Sequence, residues 1–185
     1  MEGLINMSLV GQGSEVHLCL RSLFRPTMAS DIIGVIGASR ADDELLRLAE
    51  ELGQEIASRG VAIVCGGMTG VMEAVCKGAR AKGGLTIGII PSDDKNDANQ
   101  YVQVPIVTGM GVGRNVILVK TADVLIAVGG EYGTLSEIAH ALNIGKTVVA
   151  LRSWNLERAA EKSIPNLIDA KSPKEAVDLA LDALH

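Results

Sequence analysis

Four segments of the chain place backbone amides beside side chains that can hold charge: Gly37-Ala38-Ser39-Arg40, Gly66-Gly67-Met68-Thr69-Gly70, Gly109-Met110-Gly111-Val112-Gly113-Arg114-Asn115 and Gly129-Gly130-Glu131-Tyr132-Gly133-Thr134. A residue without a Cβ lets its N–H approach an anion closely, and a helix that follows adds the positive end of its dipole. The chemistry this suits is the binding of a phosphorylated ligand. For any single loop a plainer reading stands beside it, since every α/β protein needs glycine to turn sharply from strand to helix. Several such loops on one edge favour the ligand.

Two side chains sharpen the reading. A cation in the first turn of a helix opposes the macrodipole by about 0.3–1 kcal/mol, so helix stability does not explain Arg114. An anionic ligand or a nearby carboxylate would explain it, and so would a guanidinium that simply reaches solvent. Glu137 also has two explanations. Thr134-Leu135-Ser136-Glu137 has the form of a capping box, which would account for both end residues. A carboxylate there would also point into the crevice near Arg114, where it could stabilise positive charge developing on a sugar ring.

Other chemistries find little support. No Gly-Lys-Ser/Thr follows the glycines, so the loops are not triphosphate-hydrolysing P-loops, and no G-x-G-x-x-G follows the first strand, which disfavours a standard NAD site. No lysine other than the remote Lys95 sits in a loop after a strand, as a pyridoxal phosphate enzyme would need. Cys19, Cys65 and Cys76 are odd in number and His17, His140 and His185 are scattered, so neither a disulfide framework nor a metal site is expected. A net charge of −5 removes the broad basic footprint of nucleic-acid binding, and four aromatics are too few for base-stacking platforms. No apolar run reaches membrane-spanning length and the first residues lack signal-peptide features, so a cytoplasmic protein without membrane partners is expected.

The elements that must position these loops are legible from Asp31 onward. Apolar strands are expected at Ile32–Gly37, Val61–Cys65, Leu85–Ile90, Val124–Val128 and Thr147–Leu151, with a short one at Val102–Val107. Helices are expected at Asp43–Ser58, Val71–Lys82, Arg114–Thr121, Thr134–Ile144 and Pro173–Leu184, the last capped by Ser172 and Glu175. Strands apolar throughout that alternate with helices imply a doubly wound α/β fold, a mostly parallel, Rossmann-like sheet with helices on both faces. At 185 residues, with 48% hydrophobic and 21% charged residues, the chain suits one such domain over residues 31–185. Residues 1–30 lack the pattern and contain a second candidate start at Met28, so they are expected to be a loosely attached extension.

Three stretches carry a resemblance. Cys65-Gly66-Gly67-Met68-Thr69-Gly70-Val71-Met72-Glu73-Ala74-Val75, Gly83-Gly84-Leu85-Thr86-Ile87-Gly88-Ile89-Ile90-Pro91 and Gly130-Glu131-Tyr132-Gly133-Thr134-Leu135-Ser136-Glu137 resemble, in this order, the motifs of the LONELY GUY phosphoribohydrolases. That superfamily, long misnamed "possible lysine decarboxylases", also includes the molybdenum cofactor carrier proteins. The resemblance implies a catalytic pair, Arg114 and Glu137, with the phosphate on Gly133 and Thr134 and the ligand bordered by Gly37, Ser39, Arg40, Gly66, Gly67, Thr69, Gly113, Asn115, Gly129, Gly130, Glu131 and Tyr132. Asn115 stands where the hydrolases have Lys, Gly129 replaces Pro, and Glu131 replaces a glycine. This pattern is similar to the short branch nearer the cofactor carriers. The first expectation is therefore binding of a phosphorylated nucleotide-like ligand, a nucleotide or molybdenum cofactor, with no cofactor required. The alternatives are hydrolysis of the N-glycosidic bond of nucleoside 5′-monophosphates and a scaffold with a vestigial crevice. The resemblance also implies a homodimer or homotetramer.

Overall fold

A computed structural model describes residues 31–156 and 163–184. The expected extension at residues 1–30 lies outside the described residues. From Asp31 the chain forms β1 (Ile32–Gly37), α1 (Asp43–Ser58), β2 (Ala62–Cys65), α2 (Val71–Ala81), β3 (Thr86–Ile90), β4 (Val104–Val107), α3 (Arg114–Thr121), β5 (Val124–Val128), α4 (Tyr132–Asn143), β6 (Val148–Leu151), β7 (Leu167–Ala170) and α5 (Pro173–Asp182). Short 3-10 turns occupy Lys95–Asp97 and Gly111–Gly113.

The strands make one parallel sheet in the order β4-β3-β2-β1-β5-β6-β7. Alternation along each strand assigns the two faces. Ile33, Val35, Val124 and Ile126 pack against α1, α2 and α5 through Leu52, Ile56, Val75 and Val177. Ile36, Leu125 and Ala127 pack on the other face against α3 and α4 through Leu118, Val119 and Ile138. Both faces are covered, so the strands carry apolar residues at nearly every position, as the sequence predicts for a parallel sheet.

The chain winds outward from β1 to β4, then returns to place β5 on the other side of β1. That reversal makes the carboxyl ends of β1 and β5 the topological switch point, where the flanking loops diverge and leave a crevice. The sheet also holds a strand that periodicity does not announce, β7. Leu167 and Ile168 are only half-buried, Asp169 is exposed and interrupts the apolar run, and Ala170 is buried.

Helix α4 begins three residues earlier than the capping-box pattern predicts. Glu131 is its N-cap residue and Tyr132 its first helical residue, so Thr134 lies inside the first turn. Thr134 Oγ1 is buried without a hydrogen-bond partner, and Glu137 pairs with Arg114 instead of reaching back to the helix start. The capping-box explanation of these two residues does not hold. At α5 the box is real but displaced by one residue: Ser172 Oγ accepts from the Glu175 N–H at 3.2 Å, while Glu175 Oε2 accepts from the Lys171 N–H at 2.8 Å.

Candidate functional site

The crevice encloses about 220 Å³, with Gly37 and Ser39 after β1, Gly66 after β2, Arg114 and Asn115 opening α3, and Glu131, Gly133, Thr134 and Glu137 from α4. Six residues not singled out from sequence complete the apolar part of its wall, among them Met72, Pro91, Val112 and Leu118. Nothing in their spacing separates them from core positions. Of the other expected residues, Arg40 faces a neighbouring cavity between α1 and α2, and Gly129 and Gly130 border a cavity with Arg152 and Trp154. Tyr132 lines a further cavity beside Trp154. Gly67 and Thr69 support the crevice loops from outside the lining, and Gly113, the N-cap of α3, is likewise not among the lining residues.

That support is built from hydrogen bonds between loops. The Val71 N–H donates to the Ala38 carbonyl at 3.0 Å, and Thr69 Oγ1 donates to the Ser39 carbonyl at 3.4 Å, which ties the turn after β2 to the turn after β1. Asn99 Nδ2 donates to the carbonyls of Gly67 and Met68 at 3.1 and 2.8 Å. Beneath the same turn the Gly67 N–H donates to Cys65 Sγ at 3.3 Å, and Cys65 Sγ lies 3.5 Å from Cys76 Sγ. Cysteines without a close pair in sequence thus meet in the core. The hydrogen bond between them lowers the pKa of Cys65 and raises that of Cys76.

Arg114 and Glu137 form the centre of the crevice. Arg114 Nη1 lies 3.6 Å from Glu137 Oε1, with the two side chains only 11% and 7% exposed. Arg114 Nε and Nη1 are buried and have no hydrogen-bond partner. The guanidinium crosses the end of β2 because residue 66 is glycine: a Cβ there would overlap Arg114 and Met72 Sδ. Burial pushes the Glu137 carboxyl up to about 7, although the Arg114 guanidinium pulls it down, and burial lowers the Arg114 pKa. The carboxylate partner that a first-turn arginine requires is therefore present. The guanidinium remains under-satisfied, an arrangement that costs stability unless another polar group completes it.

The start of α4 supplies a second feature. Its first N–H groups have no partner within the helix, and the Glu131 side chain does not cap them. Ser39 takes that carboxylate: Glu131 Oε2 accepts from Ser39 Oγ at 2.9 Å and from the Ser39 N–H at 3.4 Å. The Ser39 hydroxyl accordingly holds the Glu131 carboxyl below the usual range. Gly133 and Thr134, at the uncapped end of the helix, face the cavity. Gly129 turns the chain into this segment with φ of 62°, a value closed to the proline of the hydrolase motif, whose ring holds φ near −65°.

Among the described residues, no group of three or more His, Cys, Asp or Glu side chains is placed to hold a metal ion. No described helix is long and apolar enough to cross a membrane.

Comparison with known proteins agrees with this architecture. Residues 30–177 match the SLOG cluster4 family. The solved molybdenum cofactor binding protein of Rippkaea orientalis superposes with a TM-score of 0.80 at 40% identity, covering 86% of this chain and 100% of that one. The molybdenum cofactor carrier protein of Chlamydomonas reinhardtii superposes with a TM-score of 0.76 at 34% identity, over 84% of this chain and 99% of that one. A cytokinin riboside 5′-monophosphate phosphoribohydrolase of Mycobacterium tuberculosis is 36% identical over 126 residues, 63% of this chain and 67% of that protein.

Proposed function

Because the chain belongs to the SLOG cluster4 family, we propose that the crevice between β1 and β5 binds a phosphorylated nucleotide-like ligand, a nucleotide or the molybdenum cofactor. The observation that carries this reading is the uncapped start of α4. Ser39 draws the Glu131 carboxylate aside, leaving helix N–H groups facing a cavity that also contains a buried, under-bonded guanidinium. Backbone amides and the helix dipole would hold the phosphate, and Arg114 would complete its hydrogen bonds on the ligand. Glu137 then serves to keep the guanidinium in place when the crevice is empty of anion.

A second reading, N-glycosidic hydrolysis of a nucleoside 5′-monophosphate, is favoured by the placement of the Glu137 carboxyl beside Arg114. An ionised Glu137 would stabilise an oxocarbenium-like ribose while Arg114 positions the ligand. Such hydrolysis would rise with pH as Glu137 loses its proton near 7.

One experiment separates these readings. The protein is incubated with AMP, binding is measured by calorimetry, and released ribose 5-phosphate is assayed. Binding that is lost in Arg114→Ala, without release above that variant, supports the carrier-like reading. Release that depends on both Arg114 and Glu137 supports hydrolysis. Absence of both binding and release, for AMP and for a pterin phosphate, leaves the crevice as a scaffold.

We also propose a homo-oligomer of two or four copies. Val104, Ile106 and Val107 of the edge strand, with Met110, Val112 and Val116 before and in α3, are exposed apolar residues that assembly would cover.

A further inference from the structure

Two thiols meet where β2 turns toward the crevice. Cys65 is the last residue of β2 and Cys76 lies within α2, and their Sγ atoms are 3.5 Å apart. Both are free and buried. A buried cysteine commonly serves as a small apolar side chain, which calls for no polar partner. Cys65 has two: its Sγ accepts from the Gly67 N–H at 3.3 Å and lies against the Cys76 thiol. With the Arg114 charge nearby, these contacts favour its thiolate, while burial and the same thiol contact keep the proton on Cys76. One sulfur disposed to attack and a protonated sulfur beside it are the two parts of a disulfide-forming pair.

The pair also adjoins the cavity. Gly66, the residue after Cys65, lines the crevice, and so does Met72, whose carbonyl lies 3.9 Å from Cys65 Sγ. Gly66 presents no side chain, and the Arg114 guanidinium lies where its Cβ would be. The backbone that Cys65 holds through the Gly67 N–H is therefore the backbone on which Arg114 rests.

We propose that Cys65 and Cys76 are a redox modification site, closed to a disulfide by a peroxide, and that closure loosens the Gly66-Gly67 turn beneath Arg114. The Cys65 sulfur attacks one peroxide oxygen: an S–O bond forms, the O–O bond breaks, and the departing hydroxide leaves as water with the thiol's proton. The Cys76 sulfur then attacks the sulfenic sulfur, forming the S–S bond and breaking the S–O bond, and its own proton leaves in the second water. Two thiols are oxidised and one peroxide is reduced. The sulfurs must close from 3.5 Å to about 2.05 Å, and a disulfide sulfur is a poorer acceptor than a thiolate, so the Gly67 N–H loses its partner. Disulfide formation does not depend on what the crevice binds; only its effect on ligand affinity rests on the phosphate reading.

The full-length protein, reduced and desalted, would be titrated with hydrogen peroxide, alkylated in denaturant and digested with trypsin. Cleavage after Arg59 and Lys77 leaves both cysteines in one peptide, 60–77, while Cys19 falls in peptide 1–21. The expected product is peptide 60–77 unalkylated and lighter by two hydrogens. Dithiothreitol should restore it, which separates the disulfide from methionine oxidation, since a sulfoxide needs its own reductase. In Cys76→Ser, dimedone should trap a sulfenic acid at Cys65, whereas Cys76 of Cys65→Ser should stay unmodified at the same dose. In the oxidised protein the Gly67 amide should exchange with deuterium about tenfold faster, and AMP should bind about fivefold more weakly until the protein is reduced. Peroxide would be raised until the pair closes or Met72 is oxidised. Free thiols beside an oxidised Met72 overturn the proposal, because the oxidant then reached the crevice wall without joining the pair. A cross-link to peptide 1–21, or a disulfide that leaves amide exchange and AMP affinity unchanged, also overturns it. AMP that binds neither form defeats the phosphate reading alone, and a reversible disulfide with faster exchange then still upholds the thiol pair.

Discussion

Glu137 carries its charge at a cost. Its ordinary pKa near 4.5 is raised to about 7 by burial, so the folded protein holds a proton that the unfolded chain has released between those values. Stability must then fall as pH rises across that window, by on the order of 3 kcal/mol in total for this group. Thermal melts from pH 5 to pH 8 should show the decline, and Glu137→Gln should flatten the slope whatever its absolute stability. An unchanged slope would mean that Glu137 is ionised throughout. Gly66 is tested differently. Its absent Cβ leaves room for the Arg114 guanidinium, so Gly66→Ala should destabilise by about 1–3 kcal/mol in urea titrations and abolish the calorimetric response to AMP. Both residues show how far sequence could go. Arg114 was conspicuous because it opposes the helix dipole, whereas Glu137 had an equally good local explanation in a cap. Only the true start of α4 at Tyr132 removes it, and nothing local announces that start because Glu131 spends its side chain on Ser39, 92 residues away.

At the scale of elements, α1 and α2 are the most intimate pair on their face of the sheet. Gly53 of α1 sits against the backbone of Val75 and Ala79, and Gly78 of α2 against the backbone of Glu50, so no Cβ fits at either place. Gly78→Ala must push the helices apart, since backbone cannot yield as a flexible side chain can. It should cost several times the small gain in helix propensity, lowering the urea midpoint by an amount worth about 1–3 kcal/mol. Because α2 leads out of the Gly66-Gly67 turn, the same variant should also weaken ligand binding. Most of these elements were legible: strong apolar periodicity marked α1, α2 and the core strands to within a residue or two. β7 was not, because a four-residue edge strand with a charged residue leaves no periodic signal, and its strand character comes from pairing with β6.

At the scale of the whole molecule, the apolar edge formed by Val104, Ile106, Val107, Met110, Val112 and Val116 predicts self-association. Light scattering on the eluting protein should give two or four times the chain mass, and Val104→Lys with Val112→Lys should lower it while the helical circular dichroism persists. A monomer in the unsubstituted protein would show that these residues are simply tolerated at the surface. Sequence by itself determined the class of fold, because strands apolar at every position can only be buried on both faces of a parallel sheet, and such sheets place their ligands beyond the strands' carboxyl ends. It also located Arg114 and the glycine loops on that edge. Tertiary structure alone decided which of those residues share a crevice. Strand order brings the ends of β1 and β5 together across more than ninety residues of chain, setting Ser39 against Glu131, and the packing of α3 beside α4 sets Arg114 against Glu137. Contacts of that kind depend on the order in which strands assemble, and no local run of residues encodes that order.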